Sequence, residues 1–272
     1  MLIASAVTVR NRSQTLLDAV DFTAAPGQVT AIIGPSGAGK TTLLAALTGD
    51  HGHNGRVTLN GLDVADAPRP ALAQMRAVLA QSTPLAFPFT VLEVVRLGLV
   101  NTPGQDTIAR QALARVGLAG FEPRYYQELS GGEQQRVQLA RVLSQVWNPV
   151  SDAGAPRWLF LDEPVSSLDI GHQIQVIGLV RDFARQGGGV VLVMHDLNLT
   201  TMCADSVALL KSGQMLLQDT PETVFNNRHL GHAYDCVMEV GQVPDKGTFV
   251  LPQMVVRATV KQAALDAGTA VS

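Results

Sequence analysis

Residues Gly34 to Thr42 read GPSGAGKTT, which fits the spacing G-x-x-x-x-G-K-[S/T]. In such a loop glycine lets backbone amides turn inward around phosphate oxygens, and the amino terminus of the following helix adds its positive dipole end. Lys40 would reach the β- and γ-phosphates of a nucleoside triphosphate, and the Thr41 hydroxyl would ligate magnesium. The candidate phosphate-binding set is therefore Gly34, Pro35, Ser36, Gly37, Ala38, Gly39, Lys40, Thr41 and Thr42. A second cluster follows the apolar run WLFL, at Asp162 and Glu163. Asp162 stands where a carboxylate holds magnesium through water. Glu163 beside the γ-phosphate would orient and polarise the attacking water, which points to hydrolysis rather than transfer to another acceptor. Gln81 and His195 also close apolar runs, and together with the phosphate loop they read as groups that sense the γ-phosphate and its water.

The third cluster is QELSGGEQQRVQLAR, Gln127 to Arg141. Ser130 and Glu133 fit a capping box, and apolar Leu139, Val142, Leu143, Val146 and Trp147 recur at helical spacing, with Gln134, Gln138, Arg141 and Gln145 opposite. A cap alone gives no reason for Gly131 and Gly132, each costing up to ~1 kcal/mol against Ala in a helix, whereas close approach of an anion does. The chain then has two phosphate-binding helix starts but one lysine-bearing loop and one Asp-Glu pair. A symmetric pair of chains resolves this, each offering Ser130, Gly131, Gly132 and Glu133 to the nucleotide on the other's loop.

These residues need elements to hold them on one rim. VTAIIG, AVLA, WLFL and VVLVM are short, branched and apolar, and read as buried parallel strands. In an open parallel sheet ligands bind beyond the carboxyl ends of the strands, so all four deliver their polar residues to one edge. GRVTLNGLDV reads as a hairpin turning at Asn60-Gly61, and SVALLKSGQMLLQ as another around Gly213. Residues 82–149 are mostly helical by period, and Thr220-Pro221-Glu222 opens a later helix. The Ala-rich end is expected to be loosely ordered.

Composition bounds the function classes. The 272 residues are 46% hydrophobic, enough for a sizeable core, and the net charge of -3 without Lys/Arg runs argues against a nucleic-acid surface. The apolar runs fall far short of the ~20 residues that cross a bilayer. The amino terminus reads as a first strand rather than a secretory signal, so a cytosolic protein is expected. Cys203 and Cys236 lie far apart with no metal-ligand spacing and are assigned no chemistry.

The ordered set GPSGAGKTT, Gln81, LSGGEQQR, WLFLDEP, SSLD and His195 resembles the ATP-binding subunits of ABC transporters over nearly the whole chain. The resemblance implies an α/β fold of the P-loop NTPase kind. Residues 1–81 and 156–225 would form a RecA-like core, its sheet mostly parallel, with an antiparallel β portion. Residues 82–155 would form an inserted helical subdomain, and 226–272 a C-terminal extension. It also implies a head-to-tail dimer around two ATP, with magnesium held by Thr41, Gln81 and Asp162. Ser130 and Gly132 would bind the partner's γ-phosphate, and Asp169 of SSLD would line the dimer contact. Gln81 would begin the loop that passes closure to the membrane subunits.

The cargo rests on likeness alone. AQSTPLAFPFTVLEVVRLG, SQVWNPVSDAGAPRW, DEPVSSLDIGHQ and TFVLPQ most resemble the ATPases of bacterial hemin importers, whose nearest relatives serve ferric siderophores and cobalamin. The implied partners are a second copy, two membrane-spanning permease subunits and, indirectly, a periplasmic binding protein. The place would be the cytoplasmic face of the inner membrane, held peripherally. Phe87 and Phe89 either receive a permease helix or pack within the helical subdomain. His51 and His53, in a loop remote from cargo, are not read as heme ligands. A soluble, non-transport ABC ATPase is the rival class; it usually carries two cassettes, zinc modules or long coiled-coil insertions, and this chain has none. The family usually stacks an aromatic on adenine near the end of the first strand, but VTVRNRSQTLLD offers none. Arg10 or Arg12 could stack instead, and a solvated loop is the other reading.

Overall fold

Alternation along the apolar strands decides the layering. The computed structural model describes residues 1–12, 14–81, 87–99 and 104–254. Its strands are β1 (Leu2–Asn11), β2 (Gln14–Ala24), β3 (Val29–Ile33), β4 (Asn54–Leu59), β5 (Leu62–Asp63), β6 (Arg76–Leu79), β7 (Trp158–Asp162), β8 (Gly189–Val193), β9 (Ser206–Lys211) and β10 (Gln214–Asp219). Its helices are α1 (Lys40–Leu47), α2 (Arg69–Met75), α3 (Val91–Arg96), α4 (Gln105–Arg115), α5 (Gly131–Gln145), α6 (Ile170–Arg185), α7 (Leu197–Cys203), α8 (Pro221–Val224) and α9 (Asn227–Tyr234).

One sheet runs β10-β9-β3-β8-β7-β6 and the other β2-β1-β4-β5. In the first, β6, β7, β8, β3 and β9 are mutually parallel and only β10 is antiparallel; the second is wholly antiparallel. Successive residues of a strand face opposite sides, so the parallel sheet feeds two cores. Ile32, Phe160, Val191, Val193 and Ala208 pack with α1 and the antiparallel sheet, while Ile33, Leu159, Leu161, Leu192 and Leu209 pack with the helices of the other face. Every residue of β3, β7 and β8 is buried, which is why these strands read as unbroken apolar runs.

Both read hairpins are present. Asn60 and Gly61 join β4 to β5 at φ 51° and 84°, and Ser212 and Gly213 join β9 to β10 at φ 50° and 80°. Asn60 also accepts from the Trp158 indole at 3.1 Å and donates to the Pro156 carbonyl at 2.8 Å, pinning its hairpin to the parallel sheet. α3, α4 and α5 pack on one another, as the helical reading of that region expects. Thr220 and Pro221 open α8 as read, but the helix is four residues long and Thr220 makes no side-chain cap. The solvated-loop reading of VTVRNRSQTLLD is corrected: β1 and β2 pair through Arg10↔Thr15 and Asn11↔Gln14, so the stretch is a hairpin. On its other edge β1 pairs with β4 as far as Thr8. The Ala-rich end at 255–272 and residues 82–86 past Gln81 lie outside the described residues.

Candidate active site

The phosphate loop leaves β3 and enters α1 through Gly39, whose φ of 99° suits glycine alone, and whose place a Cβ would contest with Leu17 at 2.8 Å. Gly39 supplies no side-chain cap, so the first amides of α1 stay available to an anion. Lys40 is buried, and its Nζ donates to the Gly34 and Pro35 carbonyls, each at 2.9 Å. Desolvation holds this lysine below its ordinary pKa, opposed by the nearby charges of Glu163 and Asp162.

Asp162 closes β7, buried, and accepts from the Thr41 hydroxyl at 3.3 Å. Burial raises its carboxyl above the ordinary range, while Thr41 pulls the other way. A buried carboxylate beside a hydroxyl is a pair of hard oxygen donors, and magnesium takes one or two carboxylates and completes its shell with water and phosphate. The residues present thus fit that ion. Glu163 follows with a positive φ of 51° and meets His195 Nε2 through its Oε1 at 2.6 Å. His195 lies just beyond β8, so two neighbouring parallel strands set this pair.

Between these groups is a cavity of about 690 Å³. Ser36, Gly37, Gly39, Lys40, Thr41 and Thr42 form one wall, with Glu163 and His195 at the far end. Gly34, Pro35 and Ala38 do not line it; the first two hold Lys40, and the Ala38 carbonyl accepts from the Gly213 amide at 3.0 Å. Gln14, Thr15 and Leu16 of β2 with Ser212 and Gly213 also line it, and none of them was singled out as a site residue by the sequence reading. Their one visible signal was the Ser212-Gly213 turn; what brings them here is the Gly213 carbonyl accepting from Asp18 of β2 at 2.9 Å. Arg10 and Arg12 are exposed and are not among the residues that line this cavity.

Gln81 is exposed and outside the lining. It follows β6, which pairs in parallel with β7, Leu79 opposite Leu161, so it leaves the sheet beside the strand that ends in Asp162. Ser130, Gly131, Gly132 and Glu133 are likewise absent from the cavity wall. Their capping box is formed, with Ser130 accepting from the Glu133 amide at 3.4 Å and the Ser130 amide donating to Glu133 at 2.8 Å. Those bonds draw the Glu133 carboxyl below its ordinary range. A Cβ on Gly131 would meet nothing within 4 Å, whereas one on Gly132 would sit 2.9 Å from the Ser167 carbonyl of the same chain. Anion approach is therefore not needed to explain Gly132. Asp169 is exposed and caps α6, accepting from the His172 amide at 2.9 Å. Phe89 packs into the core while Phe87 is 67% exposed, which separates a pair the sequence treated alike. Burial pushes the Cys203 thiol up to about 12, consistent with a thiol without chemistry.

A phosphate loop at a strand end, a buried carboxylate beside its threonine and a Glu-His pair across one cavity define a P-loop nucleoside triphosphatase. Comparison with known proteins narrows this. Residues 17–166 match the ABC transporter family. The chain is 54% identical to the hemin import ATP-binding protein HmuV of Jannaschia sp. over 93% of this chain and 95% of that protein. To the protein of that name from Rhizobium meliloti it is 51% identical, over 93% and 98%. A solved ATP-binding subunit of an ABC transporter superposes with a TM-score of 0.73 at 21% identity, covering 86% of this chain and 96% of that one. A bacterial ABC transporter cassette solved as a dimer superposes with a TM-score of 0.71 at 25% identity, covering 81% and 99%. The chain belongs to the ABC transporter family, as an ATP-hydrolysing subunit. Among the described residues, no helix is long and apolar enough to cross a membrane.

Proposed function

We propose that this subunit powers a bacterial hemin importer. The observation that carries the cargo is the 54% identity to a hemin import ATP-binding protein along nearly the full length of both chains. Two copies enclose two ATP, each held by the 34–42 loop of one chain and by Ser130, Gly131, Gly132 and Glu133 of the other. The absence of 130–133 from the chain's own cavity supports that division. Thr41, Gln81 and Asp162 would hold magnesium, whose charge would offset the phosphates. Glu163 takes the proton of the attacking water, and His195 orients Glu163 and the γ-phosphate. Asp169 lies at the contact between copies. The assembly works against two permease subunits, with a periplasmic binding protein beyond them, at the cytoplasmic face of the inner membrane. Exposed Phe87 is a contact for a permease helix.

The test is uptake into vesicles carrying this chain with its cognate membrane subunits and binding protein. ATP-dependent accumulation of hemin, without that of a ferric siderophore or cobalamin, is expected. Accumulation of either competitor in place of hemin refutes the cargo and leaves the ATPase assignment standing.

A further inference from the structure

Glu163 is the residue on which the hydrolytic reading turns, and its backbone adopts a left-handed φ of 51° that non-glycine residues avoid. Such a conformation persists only when its surroundings over-determine it. Its amide is held by the Val193 carbonyl of β8 at 3.2 Å. Its carbonyl accepts from the Ser166 amide and hydroxyl, at 3.3 and 3.2 Å, but Ser166 belongs to the same turn and moves with it. The anchor from outside is Gln135, on α5, whose Nε2 donates to the Glu163 carbonyl at 2.9 Å. The other end of the same amide, Oε1, accepts from the Ser167 backbone at 3.2 Å. One side chain thus grips the turn at both ends, and only one orientation of the amide satisfies both bonds.

We propose that Gln135 is a positioning residue for ATP hydrolysis, clamping the 163–167 turn so that the Glu163 carboxylate stays on His195 and over the attacking water. This rests on the assignment of Glu163 to that water. Freed of Gln135, the peptide after Glu163 can turn, φ can relax, and the carboxylate leaves the 2.6 Å contact with His195. A general base displaced by about 1 Å loses on the order of 10² in rate. Nucleotide binding depends on the 34–42 loop, which Gln135 does not touch, so affinity should survive.

The experiment is a double-mutant cycle on the full chain with its membrane subunits, using Gln135→Ala, Glu163→Gln and the pair. The readouts are single-turnover hydrolysis of labelled ATP, KM, binding of a fluorescent ATP analogue, and melting temperature. Gln135→Ala should lower kcat by roughly 10–100-fold with KM and analogue binding unchanged. Added to Glu163→Gln it should change the residual rate by less than about twofold, because it acts through a carboxylate already absent. Gln135→Glu keeps the acceptor for Ser167 but opposes the Glu163 carbonyl with a second acceptor, so it should be as slow as Gln135→Ala. It carries the test if the alanine variant melts below the assay temperature. Equal losses from Gln135→Ala in both backgrounds, or a normal kcat, overturn the clamp while leaving Glu163 in place. Normal turnover by Glu163→Gln instead overturns the assignment of Glu163, and the clamp with it.

Discussion

Asp162 and Lys40 are adjacent buried groups of opposite charge, and in both desolvation outweighs their mutual attraction. The charged form of each therefore carries a desolvation cost in the nucleotide-free fold. Because the folded state raises the Asp162 pKa, it binds that proton more tightly than the unfolded chain does. The resulting contribution favours folding at low pH and is lost as pH rises through the raised value, leaving a penalty at neutral pH. Asp162→Asn retains the contact with Thr41 without the charge. At pH 7 and without nucleotide it should raise the melting temperature by a few degrees, and lower magnesium-dependent turnover by on the order of 10². Scanning calorimetry against an ATPase assay checks both halves, and a lower melting temperature counts against the desolvation argument. Binding magnesium and phosphate reverses the balance, so a site costly when empty gains most from its ligands.

At the scale of the element, α5 shows how one helix serves several sites. Its apolar stripe is buried at Leu139, Val142 and Leu143, as the spacing predicts. Its polar face is not simply solvated: Gln134 donates to the Tyr126 and Leu129 carbonyls, Gln138 meets the Tyr126 hydroxyl, and Gln145 reaches Ala73 and Arg76. The two glycines at its start separate by environment. Gly131→Ala places a methyl in open space and removes chain entropy from the unfolded state, so it should stabilise the protomer by about 0.4–1 kcal/mol while obstructing whatever approaches from outside. Gly132→Ala drives a methyl against the Ser167 carbonyl and should destabilise by about 1–3 kcal/mol. Urea midpoints of the two variants decide this, and equal effects would remove the distinction.

For the whole molecule, residues 130–133 are not among those that line the chain's own cavity. Completion by a second copy, as proposed, would make ATP hydrolysis depend on protomer concentration. In a Glu163→Gln background, which should bind ATP without turning it over, light scattering should report ATP-driven pairing. Adding Ser130→Arg should abolish that pairing while each protomer still binds nucleotide, because the new side chain fills the corner offered to the partner. Dimers forming undiminished with Ser130→Arg would contradict completion in trans.

What was legible in the chain was contiguous. The phosphate loop, the Ser130-Glu133 box and the two-residue turns at Asn60-Gly61 and Ser212-Gly213 each depend on residues a few positions apart, and their backbone demands show in residue type. The rim of reactive strand ends was legible too, because parallel strands carry their ligands at one edge whatever their order. The order itself, β10-β9-β3-β8-β7-β6, was not, since buried apolar strands look alike in sequence. That order set Glu163 against His195 and brought the Ser212-Gly213 turn against β2 and the phosphate loop. The Gln135 clamp and the Ser167 carbonyl over Gly132 likewise join segments about 30 residues apart. Such contacts exist only after loop closure has been offset by the burial of both cores, and no local pattern announces them.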